Sequence, residues 1–207
     1  MKGKFIVFEG IDGSGKSTQI RRLAKRLGDM GIKCYETREP TDSPVGSLMH
    51  NIMTGRTSAD ERVIAALFIA DRIDHLTNPV DGLMQQIDGG VTVLCDRYYF
   101  SSYAYQGVET DMDWIINGNS ISADILRPTV TVFLDIPVDT AMERIESNRA
   151  HKERYEKEER LAAVRAKYFE AFDKLKDTET VEIVDAAADA DTVEERIWAA
   201  VLKYFNI

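Results

Sequence analysis

The sequence predicts an α/β fold, a five-stranded parallel sheet with helices on both faces, and three observations predict it. Short apolar or β-branched runs recur at 5–8 (FIVF), 33–36 (KCYE), 91–95 (VTVLC), 129–134 (TVTVFL) and 181–184 (VEIV). Amphipathic stretches of helical period separate them. The runs are apolar almost without interruption, as strands covered on both faces must be, and the intervals are long enough for the crossovers that parallel neighbours require.

The first strand runs straight into Gly10-Ile11-Asp12-Gly13-Ser14-Gly15-Lys16-Ser17, which satisfies G-x-x-x-x-G-K-S/T in the strand-to-helix context the motif needs. The glycines let backbone N–H groups turn inward around a phosphate, and the helix that opens near Lys16 adds its positive end. Lys16 would reach the β- and γ-phosphates and the Ser17 hydroxyl would ligate Mg²⁺. The fold class therefore narrows to a P-loop NTPase, with ATP expected on Gly10, Ile11, Asp12, Gly13, Ser14, Gly15, Lys16, Ser17 and Thr18. A helix over 16–28 follows, then the second strand, which ends in TREP. Helices are expected over 44–54 and 59–76 before the third strand, VTVLC, which ends in Asp96, a carboxylate placed to hold the same Mg²⁺. Further helices are expected over 98–106, 111–117, 138–147, 157–175 and 191–204. Ligands should gather at the carboxyl ends of the strands.

A chain of 207 residues with 44% hydrophobic content can bury one substantial core, and residues 1–207 read as a single domain. With 35 acidic against 26 basic residues, the formal charge of -9 works against holding a nucleic-acid backbone by bulk attraction. No nucleic-acid partner is expected. Cys34 and Cys95 lie in apolar runs without metal-ligand spacing and read as buried thiols, which suits a reducing cytoplasm. The apolar run at the N-terminus is too short for a signal peptide, and no stretch approaches a membrane span.

P-loops serve switches, motors and small-molecule kinases. A GTPase should carry N-K-x-D, which does not occur in this chain. What does occur is a set of arginines near strand ends and loops: Arg38, Arg72, Arg97, and Arg149 and Arg154 in the charged run RAHKERYEKEER. An acidic protein that keeps arginines at such points suits phosphoryl transfer between two anions, whose repulsion bidentate guanidinium groups offset.

FEGIDGSGKST, TREP, FIADRIDH, DRYYFSSYAYQG and NRAHKERYE, in that order, resemble the thymidylate kinase family over nearly the whole chain. The resemblance implies γ-phosphate transfer from Mg-ATP to dTMP in dTTP synthesis, a homodimer, a monophosphate-binding region at about 38–107 and a mobile lid at about 147–158. It implies a dTMP site of Asp12 at the sugar 3′-hydroxyl, Arg38 on the phosphate, Phe68 on the base, Arg72 at the base edge, and Ser101, Ser102, Tyr105 and Gln106 around the nucleoside. Arg97 would bridge the donor and acceptor phosphates. Catalysis falls to Lys16, Arg97, Arg149 and Arg154, because Gly13 and Ser14 leave the P-loop without an arginine and the lid must supply it; Lys152 is a further lid candidate. Metal binding falls to Ser17 and Asp96. The acceptor phosphate is already mostly dianionic near neutral pH, so no general base is required. The chain departs from the family where REPTDSPVG replaces the common REPGGT, and where RPTVTVFLD lacks the aspartate of P-D-L. Another nucleoside or nucleotide kinase, or a nucleotide-dependent switch ATPase, is the alternative reading.

Overall fold

A computed structural model of the chain describes residues 2–148 and 158–205. One parallel sheet contains all the expected strands: β1 (Phe5–Glu9), β2 (Cys34–Arg38), β3 (Thr92–Asp96), β4 (Val130–Asp135) and β5 (Val181–Asp185). Their order across the sheet is β2-β3-β1-β4-β5. β1 is central, with Phe8 beside Asp96 on one side and Val132 on the other. Its five residues are all buried, which is why it reads as an unbroken apolar run that ends in the single charge of Glu9. β2 is an edge strand and is largely open to solvent.

Helix α1 (Lys16–Asp29) packs with α9 (Ala190–Val201) on one side of the sheet. On the other side α5 (Tyr99–Tyr105) packs against α8 (Glu158–Leu175) and α6 (Met112–Ile125), and α6 against α3 (Glu61–Thr77). Helices α2 (Pro44–Met53) and α7 (Val138–Asn148) complete the cover that the sequence leads one to expect.

Three details differ from the sequence expectation. A short helix, α4 (Leu83–Asp88), lies between α3 and β3; its six residues between Gly82 and Gly89 are too few to display a period. Helix α6 runs to Ile125 rather than stopping at 117, across an Asn-Gly-Asn-Ser stretch of poor helix formers. Tertiary packing overrides propensity there, because Asn119 is fully buried and donates to Ile115 O at 2.8 Å. Finally, Cys34 is only half-buried on β2, whereas Cys95 is buried as expected.

Candidate active site

The P-loop after β1 and the C-terminal ends of β2 and β3 open into a cleft of about 730 Å³. The P-loop forms its floor. Gly15, in left-handed backbone, starts α1, so the loop's amides face the space where an anion would sit. Lys16 is buried and donates to Gly10 O at 3.0 Å and Ile11 O at 3.3 Å. Burial, with Arg97 nearby, lowers its pKa to about 8 against the pull of Asp96, Asp12 and Glu9. Residues 12–18 line the cleft. Gly10 and Ile11 do not; they contribute carbonyls to Lys16, and the Ile11 side chain is part of the core. Gly13 has φ +82°, and a Cβ there would lie 2.6 Å from Ala141 O, so the loop has no room for a side chain at that position.

The Ser17 hydroxyl donates to Asp96 Oδ2 at 2.9 Å, while Asp96 Oδ1 is buried with no hydrogen-bond partner. A hydroxyl and a carboxylate with an orphaned oxygen form an all-oxygen set that fits a hard divalent cation. Among the described residues no group of three or more His, Cys, Asp or Glu side chains forms a metal cluster, so these two would need a polyphosphate to complete the coordination.

Arg97 follows Asp96 with φ +73°, a left-handed backbone unusual for a side chain of its size. Its N–H donates to Phe8 O at 2.9 Å. The guanidinium then crosses the floor. Nη2 pairs with Asp12 and donates to Tyr105 Oη at 3.1 Å, and Nη1 donates to Ser101 Oγ at 3.1 Å and Gly10 O at 3.3 Å. Tyr105 Oη also donates to Asp12 Oδ2 at 3.2 Å. Asp12, Arg97 and Tyr105 thus make a closed triangle across the loop.

Arg38, Phe68, Ser101, Tyr105 and Gln106 line the β2–β3 flank of the cleft. Arg38 leans on Asp42 at 2.9 Å, an exposed pair of little energetic weight. The REPTDSPVG turn is organised by Asp71 of α3, which accepts from Thr41 N at 2.8 Å, Thr41 Oγ1 at 2.5 Å and Ser43 Oγ at 2.8 Å. Ser43 in turn caps α2 by accepting from Gly46 N.

Arg72 and Ser102 depart from expectation, because neither reaches the cleft surface. Arg72 is fully buried: Nε donates to Glu39 Oε2 at 2.8 Å, Nη1 to Asn119 Oδ1 and Nη2 to Ser102 Oγ at 3.3 Å. A buried glutamate claims the guanidinium, since a charge at that depth needs its counter-ion. Glu39 Oε1 faces His75 Nδ1 at 3.1 Å, and His75 Nε2 lies 2.8 Å from Thr37 Oγ1. The i, i+4 spacing of Phe68 and Arg72 therefore separates a lining residue from a buried one. Arg149, Lys152 and Arg154 lie outside the described residues.

The opposite flank was not anticipated residue by residue. Arg144 donates to Ala186 O at 3.1 Å and Ala188 O at 3.3 Å, and Gln19 donates to Ala190 O at 2.9 Å. These bonds shape the 186–190 loop into a wall beside the P-loop. They join side chains to distant backbone, which leaves no motif in the sequence. At RPTVTVFLD the place of the aspartate of P-D-L is taken by Thr129, whose Oγ1 accepts from Phe5 N at 3.2 Å and whose N–H donates to Phe5 O at 2.7 Å, so the residue ties the start of β4 to β1.

A five-stranded parallel sheet whose central strand feeds a phosphate loop, with a lysine, a Ser–Asp pair and an arginine converging on it, defines a P-loop NTPase fold. The thymidylate kinase family model matches residues 8–197, and the chain belongs to that family. It is 40% identical over 151 residues to a probable thymidylate kinase of Pyrococcus horikoshii, covering 70% of this chain and 71% of that protein. It is 35% identical over 209 residues to a thymidylate kinase of Nitrobacter winogradskyi, covering 96% and 88%. A solved structure of thymidylate kinase from Candida albicans superposes with a TM-score of 0.80 at 24% identity, covering 98% of this chain and 92% of that one, a likeness of fold.

Proposed function

We propose that the protein transfers the γ-phosphate of Mg-ATP to dTMP, giving dTDP for dTTP synthesis in the cytoplasm. The observation that carries this reading is Arg97, whose guanidinium spans from the P-loop carbonyl of Gly10 to Asp12, Ser101 and Tyr105 on the other nucleotide's flank. An arginine so held bridges two anions and offsets their repulsion as charge moves between them. P-loop amides and Lys16 hold the ATP phosphates, Ser17 and Asp96 hold Mg²⁺, and the wall at Arg144 and 186–190 takes the donor base. The metal, when bound, neutralises developing charge on the triphosphate. Arg38 grips the dTMP phosphate, Phe68 covers the base, Gln106 meets its edge and Asp12 faces the sugar. Arg72 and Ser102 act from behind this lining, and Arg149 and Arg154 provide the lid arginine. Catalysis is positioning plus electrostatics, with no proton-abstracting residue.

We also infer a homodimer through the solvent sides of α3 and α6. Val63, Trp114 and Ile121 are 49%, 45% and 56% exposed there, and Ala66 and Ala70 leave α3 flat enough for close approach.

A panel of nucleoside monophosphates supplied with Mg-ATP, read by ADP release, tests the activity. dTMP is expected to be the best acceptor. Turnover of ATP that ignores every monophosphate would instead favour a switch ATPase.

A further inference from the structure

Glu9 ends β1 one residue before the P-loop and is completely buried. Its carboxylate is fully used. Oε1 accepts from Tyr98 N at 2.8 Å and Ser101 N at 3.1 Å, and Oε2 accepts from Ser101 Oγ at 2.6 Å and Tyr168 Oη at 2.8 Å. Burial pushes the Glu9 carboxyl above its ordinary range, and Ser101, Arg97, Tyr168 and Tyr98 pull it back. A strand that merely needed filling at this point would carry an aliphatic residue, because burying a carboxylate costs several kcal/mol unless donors surround it.

The donors that Glu9 gathers have one thing in common: all adjoin Arg97. Tyr98 is the next residue, and its N–H on Glu9 fixes the chain just beyond the left-handed φ of +73°. Ser101, oriented by Glu9 through both its N–H and its hydroxyl, receives Arg97 Nη1 at 3.1 Å. Tyr168, brought from α8, lies 2.9 Å from Ser101 Oγ and 3.5 Å from Arg97 Nη1. Backbone and guanidinium of the same residue are thus both held from one buried carboxylate. Strained backbone persists only where the surroundings over-determine it.

We propose that Glu9 is the positioning residue for Arg97: it clamps the chain after the arginine and, through Ser101 and Tyr168, aims the guanidinium across the cleft. This role rests on Arg97 bridging the two phosphates, as in the function proposed above. Glu9 itself touches neither nucleotide and does not line the cleft. Its effect is carried by kcat, since a misaimed arginine weakens the interactions that tighten during transfer and leaves ground-state binding of either nucleotide to other groups.

The test is a double-mutant cycle with Glu9→Gln and Arg97→Ala, run on whichever monophosphate the wild-type protein uses best. The wild-type panel judges the choice of dTMP, and the cycle judges Glu9. Glu9→Gln keeps the shape and two acceptor positions for the backbone N–H groups. Alone it should lower kcat by roughly 10²-fold with KM for both nucleotides nearly unchanged. In the Arg97→Ala background, which keeps the Cβ and hence the backbone strain, the same change should cost almost nothing. An equal loss in both backgrounds, or a full kcat in Glu9→Gln, overturns the proposal. Should Glu9→Gln fail to fold, Tyr168→Phe removes one donor to the same carboxylate and enters the cycle in its place, with the same two outcomes.

Discussion

Lys16 shows how one buried residue ties binding to pH. Its folded pKa of about 8 lies below the ordinary lysine value of 10.5, chiefly because burial disfavours the charge. Between those values the unfolded chain holds a proton that the ligand-free fold has released, so this group makes the fold more stable as pH rises through that window. A triphosphate on the P-loop reverses the balance by favouring the ammonium form. ATP binding at about pH 9 should therefore take up close to one proton, visible as a calorimetric heat that varies with the buffer's ionisation enthalpy. Lys16→Met should abolish the buffer dependence; a heat independent of buffer in the wild type would contradict the burial argument. At this scale the sequence was a good guide wherever a motif fixes a residue type by spacing. Lys16, Ser17, Asp96 and Arg97 all line one cleft. Glu9 and Arg144 were illegible, because their partners lie on other elements and nothing local marks them.

Between strand and helix, the turn after Arg38 depends on a residue of another element. Asp71 on α3 is buried and takes both Thr41 and Ser43 in hand, and Gly46 beside it admits no side chain, since a Cβ there would lie 1.9 Å from Thr41 O. Asp71→Ala strips those donors of their acceptor and should lower stability by about 1 to 3 kcal/mol in urea unfolding. Because Arg38 rides on this turn, the same variant should raise KM for the monophosphate by roughly tenfold, equivalent to about 1.4 kcal/mol, while KM for ATP stays put. A rise in both constants would mean that the turn serves the whole cleft. All five strands were legible from their apolar runs, and α4 and the end of α6 were not. The reason is physical: six residues show no period, and Asn119 is helical because Arg72 and Ile115 need its amide, which is a tertiary fact. The same burial explains why a helical spacing placed Phe68 and Arg72 together and the fold put one in the cleft and the other beneath it.

For the molecule as a whole, Val63 on α3 and Trp114 and Ile121 on α6 are apolar side chains open to solvent. In the homodimer proposed above these residues lie at the contact, so Val63→Glu combined with Ile121→Glu should halve the mass seen by sedimentation without lowering the unfolding temperature appreciably. An unchanged mass would remove this face as the dimer contact. Among the described residues no helix is long and apolar enough to cross a membrane. The strand order could not be read from the sequence, since apolar runs announce strands and not neighbours.

That order has an evolutionary consequence. β1 stands at the middle, with β3 and β2 to one side and β4 and β5 to the other, so in the function proposed above most residues around the acceptor, from Arg38 to Gln106, come from one stretch of chain and most of those around the donor base, Arg144 and 186–190, from a later one. A gene encoding such a layout can acquire a new acceptor preference by changes at 38–72 and 101–106, leaving the P-loop, Asp96 and Arg97 untouched. The seam that any recombinant must respect runs through Glu9, Ser101 and Tyr168, where the first, middle and last thirds of the chain share a buried hydrogen-bond network.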